Sequence, residues 1–381
     1  MRILVASDSF KGSLSSADVA RVLDEELGRG LPGAEVVRLP VGDGGEGTLD
    51  AVCEAAGVAP RLVRVAGPLG EPRDARLGVL PGGRAMVESA EANGLVLVPE
   101  DRRDPMAAST YGVGGLVLAA LDAGCRELVV GVGGSATNDG GTGMARALGC
   151  RLLDADGREL AGTAADLARV RTLDLAGMDP RLAGCRVRVM CDVSNPLTGP
   201  EGATFVFGPQ KGLSRDRLAP LDEAMGSWAA CVARATGRDL SGVPGTGAAG
   251  GLAFGLAALL GAELASGIDC VLDLVGFDAA LARADLCVTG EGHLDAQTAS
   301  GKVVCGVARR CAAAGVPCVA VVGGADPTAV ERGLEGLSCV VPCVGDVCST
   351  AEALAAAERN LRLAARRLAA LLGLGGALPW S

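Results

Sequence analysis

The sequence predicts an α/β fold in which both ends of the chain build a doubly wound parallel sheet. Strand and helix patterns alternate over residues 1–60 and again from residue 279 to the end. Such alternation is typical of parallel strands joined by crossover helices. The 381 residues exceed what one hydrophobic core usually holds, so two domains are expected.

The N-terminal elements follow in a regular order. The apolar run Ile3–Ala6 predicts a strand, and Ser15 or Ser16 is the expected N-cap of an amphipathic helix. A second strand is predicted over Glu35–Val41. The loop GDGGEG then leads into a helix over Thr48–Ala56.

The C-terminal elements continue the alternation. Strands are predicted over Leu286–Thr289, Cys318–Val322 and Cys339–Val344. Helices are predicted over Lys302–Ala314 and Ala351–Leu372. Together with the first two strands, these three would complete a five-stranded sheet.

The middle of the chain is less regular. Residues 61–98 are strand-rich, a helix is predicted from Pro105 to Leu121, and Glu127–Gly131 is a strand that runs into a glycine loop. The weakly polar segment Gly245–Ile268 is rich in Gly and Ala and carries an internal glutamate, which favours a buried helix over a membrane span. These patterns leave open whether the middle is a separate or an inserted domain.

Composition narrows the class of partner. The net charge of −10 argues against nucleic acid and anionic membrane, which need a basic face, but not against a small anionic substrate. The N-terminus has no signal-peptide pattern, so a cytoplasmic protein is expected. The 14 Cys show no CxxC spacing and are predicted to be reduced, mostly buried thiols.

The rare polar residues are concentrated in glycine-rich loops. Only three Lys occur among 35 basic residues, and Lys11, Lys211 and Lys302 lie in the loops DSFKGS, GPQKG and QTASGK. Both Gln residues, Gln210 and Gln297, lie in two of the same loops. Because Lys is a compact, movable point charge, this pattern indicates contact with phosphate.

The loops share one physical character. Each lies near a predicted helix start, where free backbone N–H groups bind anions. Asp43 and Glu46 lie inside GDGGEG, where they would repel a bare phosphate unless Mg²⁺ bridged the two. The residues therefore predict a Mg²⁺-dependent phosphate site, and leave open whether phosphate is transferred or only bound.

Three segments imitate other sites. Two glycine loops, at residues 42–47 and 131–136, match the dinucleotide fingerprint, but the first holds acidic residues and the second lacks an immediate helix. The segment AQTASGKV lacks the first Gly and the final Ser or Thr of a Walker A loop. His293, the sole His, is expected to be a plain polar loop residue.

Taken together, the loops resemble those of the bacterial glycerate kinase family. The motifs are, in chain order, DSFKGSLSS, GDGGEGT, GVGGSATNDGGTGM, CDVSNPLTGPEGATFVFGPQKG, GAAGG and GEGHLDAQTASGK. The resemblance covers essentially the whole chain. It implies a flavodoxin-like α/β domain over residues 1–60 and 279–381, with a second α/β domain inserted over residues 61–278.

The resemblance also implies an activity: ATP- and Mg²⁺-dependent phosphorylation of D-glycerate, with the 2-hydroxyl as acceptor and 2-phosphoglycerate as product. Three alternatives stay open: transfer to the 3-hydroxyl, a kinase for another small hydroxy acid, and a non-catalytic nucleotide- or anion-binding regulator. The sequence also leaves open whether the chain forms a homodimer.

Site roles follow from what phosphoryl transfer requires: charge neutralisation, a metal and a proton acceptor. The expected catalytic residues are Lys11 and Lys302 at phosphate, with Asp192 and Asp295 as candidate bases. Asp43 and Glu46, or Asp192, are expected to hold Mg²⁺. The expected nucleotide-binding residues are Gly133, Gly134, Ser135, Thr137, Asn138, Ser300 and Gly301, and the expected glycerate-binding residues are Ser9, Asn195, Gln210 and Lys211.

Overall fold

The computed structural model describes residues 1–45, 47–294 and 303–375. The chain divides into two units. Unit 1 comprises Met1–Asp43, Asp50–Gly57 and Ile268–Ser381, and unit 2 comprises Gly44–Leu49 and Val58–Gly267. Residues 268–278, which the sequence grouped with the middle domain, thus lie in the unit that contains the chain ends.

The strands are, in chain order, β1 (Arg2–Val5), β2 (Glu35–Arg38), β3 (Arg61–Ala66), β4 (Pro72–Leu80), β5 (Arg84–Glu88), β6 (Glu127–Gly131), β7 (Arg151–Leu153), β8 (Thr172–Asp174), β9 (Arg186–Met190), β10 (Glu263–Ala265), β11 (Leu286–Leu294), β12 (Cys318–Ala325) and β13 (Cys339–Pro342).

The helices are α1 (Ser16–Gly30), α2 (Thr48–Ala55), α3 (Ala90–Asn93), α4 (Tyr111–Asp122), α5 (Thr142–Ala147), α6 (Ala203–Phe207), α7 (Arg215–Thr236), α8 (Ala248–Leu260), α9 (Gly267–Leu274), α10 (Phe277–Leu281), α11 (Val303–Ala314), α12 (Pro327–Arg332), α13 (Thr350–Ala355) and α14 (Ala357–Gly375). Short 3₁₀ turns occur at Leu95–Leu97, Glu100–Arg102, Ala164–Arg169, Pro180–Gly184 and Pro209–Lys211.

Unit 1 is built on a five-stranded parallel sheet. Its strand order is β13-β12-β11-β1-β2, and every neighbouring pair is parallel. Alternate residues of the strands face opposite layers, so one face of the sheet packs on α1 and α14 and the other packs on α11. The predicted five-stranded parallel sheet from both chain ends is confirmed.

Helix α1 forms as its sequence pattern predicts. The Ser15 hydroxyl caps it by accepting a hydrogen bond from the Asp18 N–H. The apolar stripe is fully buried, and it consists of Val19, Val22, Leu23 and Leu27. Gly30 ends the helix where a side chain would not fit, because an added Cβ would lie 2.6 Å from the Ala369 Cβ of α14.

Three predicted elements differ in extent from the structure. The C-terminal helix is interrupted at Ala356, which lies between α13 and α14. Strand β11 runs on to Leu294 because its last residues pair with β12 as far as Ala325. The middle helix begins at Tyr111 and not at Pro105, because the carboxylate of Asp139 binds both the N–H and the hydroxyl of the preceding Thr110.

Unit 2 is built on a six-stranded mixed sheet. Its strand order is β10-β9-β6-β5-β4-β3, in which β3, β4 and β5 are antiparallel neighbours and β5, β6, β9 and β10 are parallel. Helix α8 lies in the predicted segment Gly245–Ile268 and is buried along most of its length. No helix in the described part of the chain is both long and apolar enough to span a membrane.

The α1–α14 contact is completed by a buried carboxylate. The side chain of Glu26 is 1% exposed and is paired with three arginines, namely Arg29 at 2.9 Å, Arg362 at 2.9 Å and Arg366 at 2.7 Å. The hydrogen bond from Arg366, joined by that from Arg362, holds the pKa of Glu26 at about 2 despite its burial. The ionised carboxylate therefore stabilises the fold.

We expect Glu26→Gln to lower the free energy of unfolding by about 2 kcal/mol at pH 7, because charge-assisted hydrogen bonds are lost. Because the pKa of Glu26 is lowered in the folded protein, its ionised form stabilises the fold at pH values above the ordinary pKa of 4.5. This stabilisation is lost as the pH falls toward 2. The difference between wild type and variant, measured by urea unfolding, should therefore shrink below pH 5. The exposed neighbour Glu25 is the matched control, and an equal loss in Glu25→Gln would contradict this role for Glu26.

Candidate active site

Unit 1 contains a pocket of about 630 Å³ at the carboxyl ends of its strands. Strand β1 connects through α1 to β2 on one side, whereas β11, β12 and β13 follow one another on the other side. The gap between β1 and β11 is therefore the switch point of the sheet, where ligands of open α/β folds bind. The volume is within the range of small-molecule sites.

Four charged side chains that line this pocket lie close enough to interact: Asp8, Lys11, Asp43 and Glu291. Lys11 Nζ lies 2.9 Å from Asp43 Oδ2. Asp8 is 7% exposed and Glu291 5% exposed, so two of the three carboxyl groups are buried. The cluster carries more acidic than basic groups.

The electrostatics of the cluster follow from that imbalance. Burial is the main cause that raises the pKa of Asp8 to about 7, and the nearby charges of Asp43 and Glu291 contribute to the same rise. A hydrogen bond from the Ser9 N–H and the charge of Lys11 act in the opposite direction. The pKa of Lys11 is raised, chiefly by its hydrogen bond to Asp43. Lys11 therefore stays charged, while Asp8 is able to exchange a proton near neutral pH.

The backbone fixes these residues at the switch point. The Asp8 N–H donates to the Gly290 carbonyl, which extends the β1–β11 pairing beyond the strand. The chain then turns sharply, with the Phe10 N–H donating to the Leu14 carbonyl, and Lys11 lies in the turn. A Cβ added at Gly292 would lie 3.2 Å from the backbone nitrogen of Lys11. Glycine at this position therefore lets the turn lie close to β11.

His293 also lines the pocket, and its predicted loop location is wrong. It lies in β11, where it pairs with Gly324 of β12. Its Nε2 lies 3.0 Å from Asp326 Oδ1. The strand was predicted too short because Gly290 and Gly292, which precede His293, imitate a loop.

The structure thus brings the predicted residues Ser9, Lys11 and Asp43 into one pocket. Asp8 and Glu291 were not among the predicted site residues, although both lie in motifs that carried the family resemblance and both follow apolar strand residues. Five further predicted residues lie outside the described residues: Glu46, Asp295, Ser300, Gly301 and Lys302.

A second polar cluster lies in unit 2, in the loop after β6. Lys211 is 3% exposed, and its Nζ donates to Ser135 Oγ at 3.0 Å and to the Thr137 carbonyl at 2.7 Å. Burial lowers the pKa of Lys211 to about 7, against the opposing charge of Asp139. Asn138 Nδ2 donates to Thr204 Oγ1 at 3.0 Å. The predicted residues Ser135, Thr137, Asn138 and Lys211 therefore lie together.

The exposed part of this loop is its glycine pair. Gly133 and Gly134 are exposed, whereas the next four residues are buried. Within the described residues, the N–H groups of these two glycines donate to no other residue. They are therefore able to bind an anion, as the sequence predicts.

Asp139 holds the end of the loop in place. It is fully buried and accepts hydrogen bonds from the N–H and hydroxyl of Thr110 and from the N–H groups of Gly141 and Gly143. These bonds satisfy the N-terminus of α5. Burial raises the pKa of this carboxyl group, while the same hydrogen bonds oppose the shift.

A backbone segment in the left-handed conformation packs against the loop that follows β6. Ala249, Gly250 and Gly251 have φ of 53°, 64° and 86° at the start of α8. The Gly250 carbonyl accepts a hydrogen bond from the Gly140 N–H. A Cβ on Gly250 would lie 2.1 Å from the Thr137 carbonyl oxygen, so the loop rests directly on this backbone.

Three other predicted residues of unit 2 lie apart from the Lys211 amine. Asp192 is exposed, and its Oδ1 accepts a hydrogen bond from the Gly267 N–H at 3.0 Å. Asn195 Nδ2 donates to the Glu201 carbonyl at 2.8 Å, so this side chain holds its own loop. Gln210 is exposed on the 3₁₀ turn that precedes Lys211.

Comparison with known proteins gives a consistent result. A sequence profile described as the glycerate kinase family matches residues 3–373. A glycerate kinase from Bacillus subtilis (strain 168) is 45% identical over 90% of this chain and 91% of its own length. A glycerate 2-kinase from Escherichia coli (strain K12) is 41% identical over 98% of this chain and 99% of its own.

A solved structure agrees. A crystal structure of a protein provisionally named glycerate kinase 2, from Salmonella typhimurium LT2, superposes on this chain with a TM-score of 0.90. It is 41% identical in sequence and covers 99% of this chain and 100% of its own. The resemblance noted from the motifs and the predicted α/β fold class are thereby confirmed.

We expect Gly250→Ala to lower the free energy of unfolding by about 2–4 kcal/mol, because the new methyl group meets a backbone oxygen in a left-handed residue. Gly226→Ala is the matched control, since it lies in α7 with open space around its Cβ position. That change should be neutral or stabilising by up to about 1 kcal/mol. Urea unfolding measures both, and equal stability of the two variants would show that the loop does not rest on Gly250.

Proposed function

The chain belongs to the glycerate kinase family, and from this premise we propose that it transfers the γ-phosphoryl group of ATP to a hydroxyl of D-glycerate. The observation that carries the proposal is the convergence of Asp8, Lys11, Asp43 and Glu291 at the sheet switch point. These residue types supply the charge, the metal ligands and the proton acceptor that phosphoryl transfer needs. We also propose a cytoplasmic location, which the use of ATP as a substrate supports.

Lys11 is the proposed phosphate-binding cation. Its side chain is 74% exposed, so the ammonium group is accessible to a ligand while it holds Asp43. A lysine ammonium has three donors, and the hydrogen bond to Asp43 uses one. The others are available to a phosphate oxygen, whose negative charge increases as the bond to ADP breaks.

The acidic side chains of the pocket fit a Mg²⁺ ion. Mg²⁺ prefers oxygen ligands and is usually held in such sites by one or two carboxylates together with substrate phosphates. Asp43 and Glu291 provide the carboxylates beside Lys11. When bound, the metal would neutralise negative charge on the β- and γ-phosphates. Glu46 and Asp192, which were predicted as further ligands, stay predictions.

Asp8 is the proposed acceptor of the hydroxyl proton. It is buried, lines the same pocket as Lys11 and Glu291, and lies in the segment that follows β1. The hydroxyl proton would move to Asp8 as the glycerate oxygen bonds to the γ-phosphorus and the bond to the β-phosphate oxygen breaks. ADP leaves, and Asp8 later returns the proton to water. Asp192 and Asp295 remain rival candidates for this role.

The glycerate carboxylate needs a cation or several donors. Ser9 in unit 1 and Asn195, Gln210 and Lys211 in unit 2 were predicted for this role, which stays a prediction. The lowered pKa of Lys211 supports it in one respect. An anion that approached the Lys211 amine would stabilise its protonated form, so binding would be coupled to uptake of a proton.

The nucleotide assignments likewise stay predictions. The N–H groups of the exposed residues Gly133 and Gly134 favour phosphate binding by the β6 loop. Ser135, Thr137 and Asn138 support that loop from the buried side. Ser300, Gly301 and Lys302 were assigned to phosphate from their motif alone.

We propose the 2-hydroxyl as the acceptor, and the similarity to the Escherichia coli glycerate 2-kinase supports this choice. The test is to incubate the purified protein with D-glycerate and MgATP and to identify the product by ³¹P and ¹³C NMR. 2-Phosphoglycerate is the expected product. 3-Phosphoglycerate would overturn the position, turnover of other hydroxy acids alone would overturn the substrate, and the absence of ATP turnover would favour a regulator.

We expect Asp8→Asn to lower kcat by about a hundredfold or more, because the amide cannot accept the hydroxyl proton. Asp192→Asn is the comparison variant. Its amide oxygen is able to keep the hydrogen bond to the Gly267 N–H, so kcat should fall less than about tenfold. A larger loss in Asp192→Asn than in Asp8→Asn would move the base assignment to Asp192.

The same Asp8→Asn variant has a stability readout that does not depend on activity. Because the folded-state pKa of Asp8 is raised from 3.8 to about 7, the folded protein binds more protons than the unfolded chain in this window, and stability falls as pH rises. Asn removes this loss. In metal-free buffer, the unfolding temperature of Asp8→Asn relative to wild type should increase between pH 4 and pH 7, and a constant difference would contradict the raised pKa.

A further inference from the structure

Three cysteine thiols meet in the core of unit 1. Cys287 lies on β11, Cys318 on β12 and Cys311 on α11, and their Sγ atoms all lie within 4.8 Å of one another. Each residue is 0% exposed. None of the three lines the pocket that contains Asp8 and Lys11.

The backbone sets this convergence. Cys287 and Cys318 are direct partners in the parallel pairing of β11 and β12. Leu286 and Val288 face the α1–α14 layer, so Cys287 between them faces the opposite layer. Cys311 lies on the buried face of α11, the helix that covers that layer. The three thiols are therefore held by regular, packed elements and not by loops.

The number of ligands limits the ion that fits. In the part of the chain that the structure describes, this cluster is the one group of three or more potential metal-ligand side chains within such distances, and no fourth ligand joins it. Structural zinc sites in proteins use four ligands. A trigonal, all-sulfur site instead suits a soft ion that is stably coordinated by three thiolates.

The charge of the filled site narrows the choice further. Three thiolates carry a charge of −3, and a buried apolar environment penalises any net charge that remains. A monovalent ion would leave two negative charges and a divalent ion one, whereas a trivalent ion leaves none. We propose that Cys287, Cys311 and Cys318 form a binding site for a trivalent thiophilic metalloid, with arsenic(III) as the representative ligand.

The binding step balances without any redox partner. Arsenous acid, As(OH)₃, is uncharged in neutral solution, and three thiols replace its three hydroxyl groups. Three As–S bonds form and three As–O bonds break, while each thiol proton leaves with a hydroxyl group as water. The oxidation state of arsenic and sulfur does not change.

Filling the site would link β11, β12 and α11 covalently. Arsenic must enter through local opening of the unit, because the thiols are fully buried. A neutral small molecule is suited to such entry. Because the cross-links form only in the folded arrangement, the bound ion would raise the unfolding temperature of the protein.

The test is to add sodium arsenite to the reduced protein in two ways, to the folded protein and during refolding from denaturant, so that slow entry does not hide binding. Native mass spectrometry should show a mass gain of one arsenic less three hydrogens. Brief alkylation at neutral pH, started together with denaturation, should find Cys287, Cys311 and Cys318 protected and the other cysteines modified. A wild-type protein with no adduct by either route, or with protection at other cysteines, overturns the proposal.

The matched variants separate the site from general thiol binding. Cys311→Ser and Cys318→Ala should each weaken arsenite binding by about tenfold or more, whereas Cys231→Ser, a buried cysteine of unit 2, should leave it unchanged. Unchanged binding in both cluster variants overturns the proposal. Tighter retention of Zn²⁺ than of arsenite by the wild-type protein, in competition, overturns the choice of a trivalent ion. None of these readouts depends on the proposed kinase activity.

Discussion

The candidate active site depends on the parallel pairing of β1 with β11. These strands come from opposite ends of the sequence, and the hydrogen bond from the Asp8 N–H to the Gly290 carbonyl carries their pairing into the pocket. That bond places Asp8 beside the strand that carries Glu291. Because the connections from the two strands lead to opposite sides of the sheet, the switch point lies between them, and the pocket is lined by residues at their carboxyl ends.

The structure contains several buried ionisable side chains, and the partners that compensate their charge differ from site to site. Glu26 is buried with three arginine partners, and its pKa falls to about 2, so its charge stabilises the fold. Asp8 and Lys211 are buried with weaker compensation, and both pKa values move to about 7. The paired group is suited to hold two helices together. The two poorly compensated groups are suited to proton exchange and to anion binding.

Local sequence patterns predicted the regular elements well where one physical signal dominated. The capped, striped α1 and the strands of unit 1 fall close to their predicted positions because burial and capping agree there. Local sequence patterns predicted the ends of an element wrongly where a contact with a residue distant in the chain sets that end. The start of α4 depends on Asp139, which lies 29 residues beyond Thr110, and the end of β11 depends on pairing with β12.

The sequence by itself determined the fold class, the five-stranded sheet and the family, because periodicity and motif order are properties of the chain alone. It also located the glycine loops and showed that the three lysines of the chain all lie in them. Only the tertiary structure decided that Asp8 and Glu291 join Lys11, that the Lys211 amine is buried against Ser135, and that Cys287, Cys311 and Cys318 meet. Burial and charge environment arise from residues far apart in the chain, so no local pattern specifies them.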